Sequence, residues 1–473
     1  MRYRQTRILL WMLIAIPVTL NLIQVQPVYS KSARTVAPKT FQHRVLIDSI
    51  HAHNFLTRGL TPSNRDYHSL FGLKDGVSYL REQGFRVAEI SSGVLNSQQL
   101  DGFDTLLINL VSDNLPAFFV VEIFAIDKFV KNGGNLLVIT DHSNTYHHTW
   151  KLQPLFRILG IALYNESVLE KPPNTIGPGP GWINIRRFKT HPVTNELTII
   201  SFHSGGAVDV NGGIAFSSES SWGDQWATAT YGENCLKFGN RGNYGNFIED
   251  PGERKGPLSV VMAREIGSGK VVVLGDQNAV GNLWIRYGDN YRLFMNIFYW
   301  FSNKSSLREY STFLSNKRAR ILLLDNLGDS QFGNYGDGGL YHAYAELARY
   351  EDTYINDRID HEYDLVVASP SVRAINQHQL DAIRTHLAEG RSLVVLSPPQ
   401  NAASWESIIG EELVSGPGKG RRDTKFKSKP EVVVYEDYMQ FTNEAFHEPT
   451  NNPTKEEAQV ADKWLAFIRR YLK

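Results

Sequence analysis

Short apolar runs alternate with stretches of helical spacing along the first part of the chain. Each apolar run is typical of a strand that is buried on both faces of a parallel sheet. The stretches between the runs repeat apolar residues every three or four positions, which predicts amphipathic helices. Strands that alternate with helices in this way predict βαβ units and a parallel, doubly wound sheet. The predicted strands are 44–48, 85–90, 103–109 and 136–139, and the predicted helices are 67–82, 122–131 and 152–159.

The pattern changes to mostly β between residues 184 and 277. The segment 172–180, which is rich in proline and glycine, predicts a loop. An apolar helix is predicted at 282–301, packed across a sheet with its aromatic side chains in the core. The aromatic and glycine-rich segment 221–245 is not assigned to any element. The predicted strands of this region are 197–202, 214–217, 258–264 and 271–274.

An internal repeat predicts that the fold occurs twice. Residues 379–397 align without a gap on residues 122–140, so that Gly390 matches Gly133 and two apolar strands coincide. A repeat of this kind indicates two copies of one structural unit. The sequence therefore predicts an α/β protein of two tandem flavodoxin-like, doubly wound units, the first completed by a β-rich distal portion. The predicted boundaries are a linker at 31–42, a first domain at 43–302 and a second, shorter domain at 319–473.

The N-terminus has the pattern of an export signal. Arginines near the start precede an apolar segment at 8–23, and residues 28–30 offer a cleavage site. The apolar stretch, extended to residue 25, is almost long enough to span a bilayer, so an uncleaved signal anchor is the alternative. Residues 1–30 are therefore predicted to be a signal peptide or a signal anchor. In either case the bulk of the protein is exported, to the periplasm or the extracellular space.

Composition and charge narrow the classes of partner. The 473 residues are 42% hydrophobic and 21% charged, as in globular proteins, and the formal net charge is zero. This balance gives no electrostatic reason to expect nucleic acid as a partner, and membrane contact is expected only through the N-terminal segment. Cys235 is the only cysteine, which excludes an intramolecular disulfide and a zinc site built from several thiolates. No small-residue elbow surrounds Cys235, so a nucleophilic role is not expected.

Polar side chains gather where the predicted strands end. Ligands bind at the carboxyl ends of the strands in open α/β sheets, and adjacent strand ends would bring these side chains within several ångströms of each other. Imidazole and carboxylate groups together suit a divalent metal such as zinc, iron or manganese, and they also suit acid–base chemistry. The candidates for ligand binding are Asp48, His51, His53, Asp141, His142, Asn144, Asp276 and Asn278, of which Asp48, His51, His53, Asp141 and His142 are the candidate metal ligands.

Three interpretations of this cluster stay open. The aspartates could fix loops by accepting backbone N–H bonds, or the cluster could bind a sugar or polymer, or it could hold a catalytic metal. The second copy has Pro398-Pro399 where the first has Asp141-His142, and it is expected to have lost every ionisable side chain at its strand ends. Ligand binding is therefore expected in the first copy, at loop residues whose truncation costs little stability, within about 1 kcal/mol.

A set of short segments carries a resemblance to a known family: 45–48 with its trailing histidine, 103–107, 133–144, 191–194, 256–257 and 269–276. Together they resemble the class I glutamine amidotransferase-like superfamily, which has a flavodoxin-like fold, in a branch near trehalose-utilisation-type and gliding-motility-type accessory domains. The resemblance covers about residues 43–302 and, more faintly, 319–410. Glutaminases of this superfamily place a cysteine on the elbow after the central strand. This chain has Thr140-Asp141-His142 there, so glutamine hydrolysis is not expected.

Two hypotheses of function follow. The first is an exported, non-catalytic ligand-binding or accessory protein of the cell envelope, linked to polysaccharide or envelope assembly. Its partner would be a small-molecule or saccharide ligand, or an envelope protein. The alternative is a metal-assisted hydrolase that uses the His/Asp cluster at the strand ends of the first domain. Because a fold of this kind hosts many functions, the resemblance does not decide whether the protein is an enzyme, and it names no cofactor.

Overall fold

The computed structural model describes most of the chain from residue 43 onward. The predicted signal segment and linker lie outside the described residues, as do His53, Cys235 and Pro398-Pro399. The described residues are 43–52, 72–112, 115–225, 245–303, 319–372, 375–397, 405, 413–415, 423–426, 432–435, 437–446 and 455–472.

Helices and strands alternate over the described residues and are numbered in chain order. The helices are α1 (Lys74–Glu82), α2 (Ser97–Leu100), α3 (Val120–Lys131), α4 (His148–Leu159), α5 (Asn290–Ser302), α6 (Tyr341–Ala348), α7 (Gln377–Ala388), α8 (Asn443–Phe446) and α9 (Lys455–Arg469). The strands are β1 (Arg44–Asp48), β2 (Arg86–Ile90), β3 (Thr105–Asn109), β4 (Asn135–Ile139), β5 (Leu163–Leu169), β6 (Trp182–Ile185), β7 (Arg187–Phe188), β8 (Ile200–His203), β9 (Gly206–Val208), β10 (Gly213–Phe216), β11 (Trp222–Gln225), β12 (Arg254–Lys255), β13 (Ser259–Ile266), β14 (Gly269–Leu274), β15 (Arg320–Leu324), β16 (Asp352–Asn356), β17 (Leu365–Ala368), β18 (Ser392–Leu396), β19 (Leu413–Ser415), β20 (Asp423–Phe426) and β21 (Val432–Tyr435). Within the described residues, no helix is long and apolar enough to cross a bilayer.

The first sheet has a core of parallel strands in flavodoxin-like order. Its described strands lie in the order β2-β1-β3-β4-β14, all parallel, and the sheet continues antiparallel through β13, β10 and β7. The order 2-1-3-4-5 of the parallel strands is that of doubly wound, flavodoxin-like sheets. β3 and β4 are buried along their whole length, as expected of strands covered on both faces.

Helices cover both faces of the first sheet. Successive side chains of a strand point to opposite faces. Leu137 and Ile139 of β4 therefore share a core with residues of α1 and α5, whereas Leu136 and Val138 share a core with residues of α3 and α4. The sheet is thus doubly wound, which confirms the predicted fold class for the first half of the molecule, residues 43–303.

A β-rich portion lies between α4 and α5, as predicted. It supplies β7, β10, β13 and β14 to the first sheet. It also forms two small antiparallel sheets, one in the order β12-β11-β5-β9 and one from β6 and β8. The loop 172–178 lies in the connection from β5 to β6.

The second sheet repeats the order of the first. Its described strands β16-β15-β17-β18-β21 are all parallel, and β20 and β19 follow antiparallel. One offset of 257 residues relates α3 to α7 (120 to 377 and 131 to 388) and β4 to β18 (135 to 392 and 139 to 396). The structure therefore confirms the internal repeat in the register that the sequence predicts. This second half, residues 319–472, belongs with the first half to one compact body, so the division into separate domains stays a prediction.

The helix predicted at 282–301 is shorter than expected. Trp284–Arg286 forms a separate 3-10 turn, and α5 begins only at Asn290. Gly288 lies between them with a φ of 52°, in the left-handed region, so the α-helical path is interrupted there. The aromatic side chains of this region are nevertheless core residues, as predicted, and both Trp284 and Phe294 are fully buried.

Candidate functional site

The carboxyl edge of the first sheet carries the described members of the predicted site, but in two separate groups. Asp48 ends β1, whereas Asp141 follows β4 and Asp276 follows β14. β4 and β14 are neighbours, but β3 lies between β1 and β4. Since neighbouring strands are about 4.8 Å apart, the ends of β1 and β4 are separated by about 10 Å. The structure therefore places Asp141 near Asp276, whereas Asp48 and His51 form a separate group.

The first group is a buried histidine between two carboxylates. The Nδ1 atom of His51 lies 3.0 Å from Asp48 Oδ2, and its Nε2 atom lies 3.2 Å from Glu122 Oε2. All three side chains are fully buried. Asp48 Oδ1 also accepts hydrogen bonds from the backbone N–H groups of Ile50, at 2.9 Å, and of His51, at 3.2 Å. This arrangement fixes the first residues after β1, 49–51.

Glu122, which is not among the residues predicted for the site, completes this group. Its carboxylate accepts the backbone N–H groups of Phe119, at 2.7 Å, and of Leu95, at 2.8 Å. A glutamate at the third position of a helix is the sequence signal that could have indicated this capping role. Burial acts to lower the pKa of His51, but Asp48 and Glu122 outweigh it and raise the pKa above its ordinary value. The histidine therefore ties the end of β1 to the start of α3.

The second group is a pair of buried carboxyls, Asp141 and Asp276. Asp276 accepts the backbone N–H of Asn278 at 2.8 Å and the backbone N–H of His203 at 2.5 Å. Asp141 Oδ1 accepts the backbone N–H of His142 at 2.7 Å. Asp141 is 7% exposed and Asp276 is fully buried. Both carboxyls thus take part in the packing of neighbouring loops.

The low polarity of this interior raises the pKa of both carboxyls. Burial raises the pKa of Asp276 to about 7. Burial also raises the pKa of Asp141 well above its ordinary value, and repulsion from Asp276 adds to the rise. The backbone N–H groups of His142 and Gln277 oppose the shift without cancelling it. The pair consequently retains at least one proton near neutral pH, as two adjacent carboxyls do when they cannot both ionise.

The histidines around this pair are neutral. Burial lowers the pKa of His142 to about 3, and burial lowers the pKa of His148 to about 4. Nδ1 of His148 donates to the carbonyl oxygen of Thr145 at 2.7 Å, so Nε2 is the acceptor that faces the backbone N–H of Asp141 at 3.4 Å. Burial also lowers the pKa of His203 well below its ordinary value. These imidazoles are packed as neutral interior groups.

The remaining candidates also hold loops. The side-chain oxygen of Asn144 accepts the backbone N–H of Thr149 at 3.2 Å. The side-chain amide of Asn278 donates to the carbonyl oxygen of His203 at 2.8 Å. His53 lies outside the described residues. Every described member of the predicted site therefore makes interior contacts with nearby backbone or side chains.

Four of the five candidate metal ligands, namely Asp48, His51, Asp141 and His142, are described by the structure, and these four do not come together. That part contains no group of three or more His, Cys, Asp or Glu side chains that could hold a metal ion. Asp48 and His51 are engaged with Glu122, while Asp141 and His142 lie beyond β3. For the described side chains, the predicted convergence within several ångströms is therefore corrected to two separate groups.

A further correction concerns the expected cost of truncating Asp141 and His142. They are not exposed loop residues, because Asp141 is 7% and His142 is 6% exposed, and the carboxyl of Asp141 accepts the backbone N–H of His142. Leaving buried donors without an acceptor costs about 1–3 kcal/mol each. Alanine at Asp141 is thus expected to cost more than the sequence alone predicts.

The Asp276 carboxyl predicts a specific pH dependence of stability. Its folded-state pKa of about 7 lies above its ordinary value of 3.8, so the folded protein holds a proton that the unfolded chain has released. The contribution of Asp276 to the free energy of unfolding should therefore fall as the pH rises from about 4 to about 7, by ~1.4 kcal/mol per pH unit at the steepest. Denaturant unfolding of wild type and Asp276→Asn at several pH values measures this contribution together with the change that Asp276 makes to the pKa of Asp141, while the contributions of the histidines largely cancel in the difference. A difference that does not change with pH would contradict the assignment.

An open cleft lies elsewhere, between the two halves of the molecule. It is bounded by the loop 172–178 of the first half and the loop 328–338 of the second, and its volume is about 570 Å³. Small-molecule sites typically measure about 300–1,000 Å³. Asp329 and Asp337 line the cleft with exposed side chains, and none of its lining residues is a cation. We call this feature the interdomain cleft, after the two domains that the sequence predicts.

Hydrogen bonds hold the second-half loop of the interdomain cleft in place. The side-chain amide of Asn443 donates to the carbonyl oxygens of Asn334, at 2.8 Å, and Gly336, at 2.7 Å. At the root of the loop, the hydroxyl of Ser330 donates to the carboxylate of Asp325 at 2.6 Å. The rim of the cleft is thus positioned by the fold before any ligand arrives.

Asp325 also corrects an expectation about the second half. It follows β15 directly and is 1% exposed, and three serine hydroxyls donate to it: those of Ser330, Ser369 and Ser371. The second copy therefore has an ionisable side chain at its strand ends, contrary to the prediction that it has none. The polar, glycine-rich loop directly after this strand is the sequence signal that could have indicated the cleft.

Comparisons with known proteins find similar solved structures, but no family model and no curated protein matches the chain. The mmIFT52 N-terminal domain is similar at 12% identity and a TM-score of 0.37, over 56% of this chain and 99% of that chain. A ThuA-like protein from Bacteroides uniformis ATCC 8492 is similar at 13% identity and a TM-score of 0.29, over 58% of this chain and 95% of that chain. A ThuA-like protein from Parabacteroides merdae ATCC 43184 gives 11% identity and a TM-score of 0.28, over 58% and 95% of the two chains.

The ThuA-like (trehalose utilisation) proteins have class I glutamine amidotransferase-like folds. At these TM-scores the similarity does not by itself establish a common fold. The assignment of this chain to the flavodoxin-like α/β class rests on its own strand order, which both sheets share.

Proposed function

We propose that this protein is an exported, non-catalytic ligand-binding or accessory protein of the cell envelope, and that its ligand occupies the interdomain cleft. The observation that carries the proposal is the contrast between two places in the molecule. The polar cluster at the carboxyl edge of the first sheet is buried and engaged with its own backbone. The interdomain cleft is open, has the volume of a small-molecule site and exposes two carboxylates.

The lining of the cleft favours a neutral saccharide as the ligand. Carboxylates accept hydrogen bonds from sugar hydroxyls, and such charge-assisted bonds are about twice as strong as neutral ones. Asp329 and Asp337 supply these acceptors, and the glycine-rich backbone around them leaves room for a ligand to approach. With no cation in the lining, an acidic sugar would meet like charge. The preference for neutral over acidic saccharides is therefore part of the proposal.

A binding experiment with charge-removing variants tests the proposal. Wild type, Asp329→Asn and Asp337→Asn are titrated with neutral and acidic oligosaccharides by calorimetry. Each variant is expected to weaken binding of a neutral saccharide by about tenfold or more, because a hydrogen bond to a charged group contributes ~1.5–3 kcal/mol. The melting temperature should stay nearly unchanged, since both side chains are exposed.

Asp381→Asn provides the matched control. Asp381 is an exposed aspartate of α7, with 61% of its side chain accessible, and it does not line the cleft. The control is expected to bind like wild type. The proposal fails if wild type binds no neutral saccharide, if it prefers acidic ones, or if the cleft variants bind as well as the control.

A further inference from the structure

An exposed apolar patch lies at the start of α3, outside the site proposed above. It consists of Phe119, Val120, Val121 and Phe124, which are 58%, 68%, 57% and 58% exposed. A surface helix normally turns polar residues to solvent, but here the first charged residue of the helix, Glu122, is fully buried against His51. A group of large apolar side chains on the surface marks an interaction site more often than a single exposed residue does.

A groove beside the apolar patch adds a positive charge and no negative one. The groove has a volume of about 420 Å³ and runs between α2 and α3. Val121 and Phe124 line it together with Lys128, and its other lining residues are neutral. Asp127, on the same helix, is 9% exposed and is paired with Lys131 at 2.9 Å. Among the described residues that line the groove, Lys128 is thus the one charged side chain, and it lies beside the apolar patch.

An exposed tryptophan lies at the same end of the neighbouring helix. The Nζ atom of Lys151 in α4 donates to the carbonyl oxygen of Leu115 at 2.5 Å, which places the start of α4 beside the segment that leads into α3. Trp150, next to Lys151, is 53% exposed. Phenylalanine and tryptophan side chains accompanied by lysine are the composition of surfaces that enter the interface of a bilayer.

We infer that the apolar patch docks on a lipid bilayer that carries anionic headgroups. The apolar side chains enter the acyl boundary, and Lys128 meets the negative surface potential of the headgroups. The patch residues have no polar side-chain atoms, whereas specific protein interfaces carry about one hydrogen bond per 100–200 Å². A bilayer therefore fits this surface better than a protein partner does.

The chain outside the described residues is consistent with this occupant. The sequence predicts an apolar segment ending at residue 25 that serves as a signal anchor if it is not cleaved. Residues 26–42 then join it to the first described residue, and 17 residues span at most about 60 Å when fully extended. The linker therefore limits the distance between the anchor and residue 43 to at most about 60 Å. The apolar patch gives the protein a second point of attachment to the membrane. This attachment is independent of saccharide binding in the interdomain cleft.

Site-specific photocrosslinking of the full-length chain in nanodiscs tests the inference. Benzoylphenylalanine replaces Phe124 in one protein and Phe247, which is 49% exposed and far along the chain, in the matched control. Both proteins share the same N-terminal segment, so tethering contributes equally to the two yields. With phosphatidylglycerol in the nanodisc, lipid adducts at position 124 are expected to exceed those at position 247 by about tenfold, because only the patch enters the acyl boundary.

The same photocrosslinking experiment in nanodiscs also tests the charge and the identity of the partner. Lys128→Gln is expected to reduce the adduct yield at position 124 with phosphatidylglycerol by about fivefold, and to have little effect with phosphatidylcholine, since one lysine near an anionic surface contributes on this scale. Equal lipid yields at positions 124 and 247 would overturn the inference. So would a crosslink from position 124 to a second copy of the chain or to another protein in place of lipid. The protein with benzoylphenylalanine at position 124 is expected to bind saccharide normally, which would show that the substitution leaves the interdomain cleft unaffected.

Discussion

Replacing Arg286 with methionine is expected to lower the free energy of unfolding by about 3–5 kcal/mol, because it leaves the buried carboxylate of Asp352 with only the longer ion-pair contact to Arg320, at 3.6 Å, and removes the cation beside the partly buried Asp75. Arg286 lies in the 3-10 turn before α5 and its side chain is 3% exposed. Its Nη1 atom lies 2.7 Å from Asp75 of α1, and its Nε atom lies 2.6 Å from Asp352 of β16. Burial acts to lower the pKa of Arg286, but Tyr79, Asp75 and Asp352 outweigh it and raise the pKa. The guanidinium therefore remains charged and joins the first half to the second.

Arg292→Met is the matched control. Arg292 also pairs with a carboxylate, at 2.6 Å, but its partner Glu196 is 67% exposed. An exposed ion pair contributes only about 0–1 kcal/mol, so this variant should unfold close to wild type. Urea titrations of the two variants measure the difference directly. Similar losses in both would show that burial of the Arg286 pairs does not strengthen them, and the assignment of Arg286 as a link between the halves would be wrong.

The repeated strand order could be predicted because it depends on local patterns. Strands such as β4 and β18 are short apolar runs, and the helix before each has its own periodicity and a glycine after its end. Both signals are readable within twenty residues, and the repeat supplied an independent check. The boundaries of α5 could not be predicted in the same way. A glycine at position 288 permits a left-handed backbone but does not require it.

The candidate site was predicted less well, because strand ends indicate where side chains lie but not what they face. Asp48 and His51 do lie at the edge of the sheet, as predicted. However, the imidazole of His51 contacts the carboxylate of Glu122, which belongs to a helix that is distant in sequence. Asp141 and Asp276 do lie close together, but both carboxyls are buried and accept hydrogen bonds from backbone N–H groups. Whether a side chain at a strand end is buried depends on how segments that are distant in sequence pack over it. A local sequence pattern does not contain this information.

The interdomain cleft is a long-range feature. Its two walls, 172–178 and 328–338, are separated by about 150 residues along the chain, and each reads as an ordinary loop by itself. Only the arrangement of the two halves brings them together. The polar composition of the second wall could indicate a binding loop, but its partner wall could not be identified from the sequence.

Truncating Trp284 to alanine is expected to cost about 3–5 kcal/mol and to weaken both halves together, as the removal of a large core side chain leaves a cavity. Trp284 is fully buried, and its ring stacks on His203 of the first half at 3.6 Å and on Tyr341 of the second half at 5.6 Å between ring centroids. Because one core cluster includes residues of both halves, loss of this ring should lower a single unfolding transition rather than split it in two. Trp150→Ala, at a 53% exposed tryptophan, is the control and should cost less than about 1 kcal/mol. Calorimetry and near-ultraviolet circular dichroism follow the transition. Two separate transitions in wild type, with only one shifted in Trp284→Ala, would show that the halves fold independently and that this aromatic contact does not couple them.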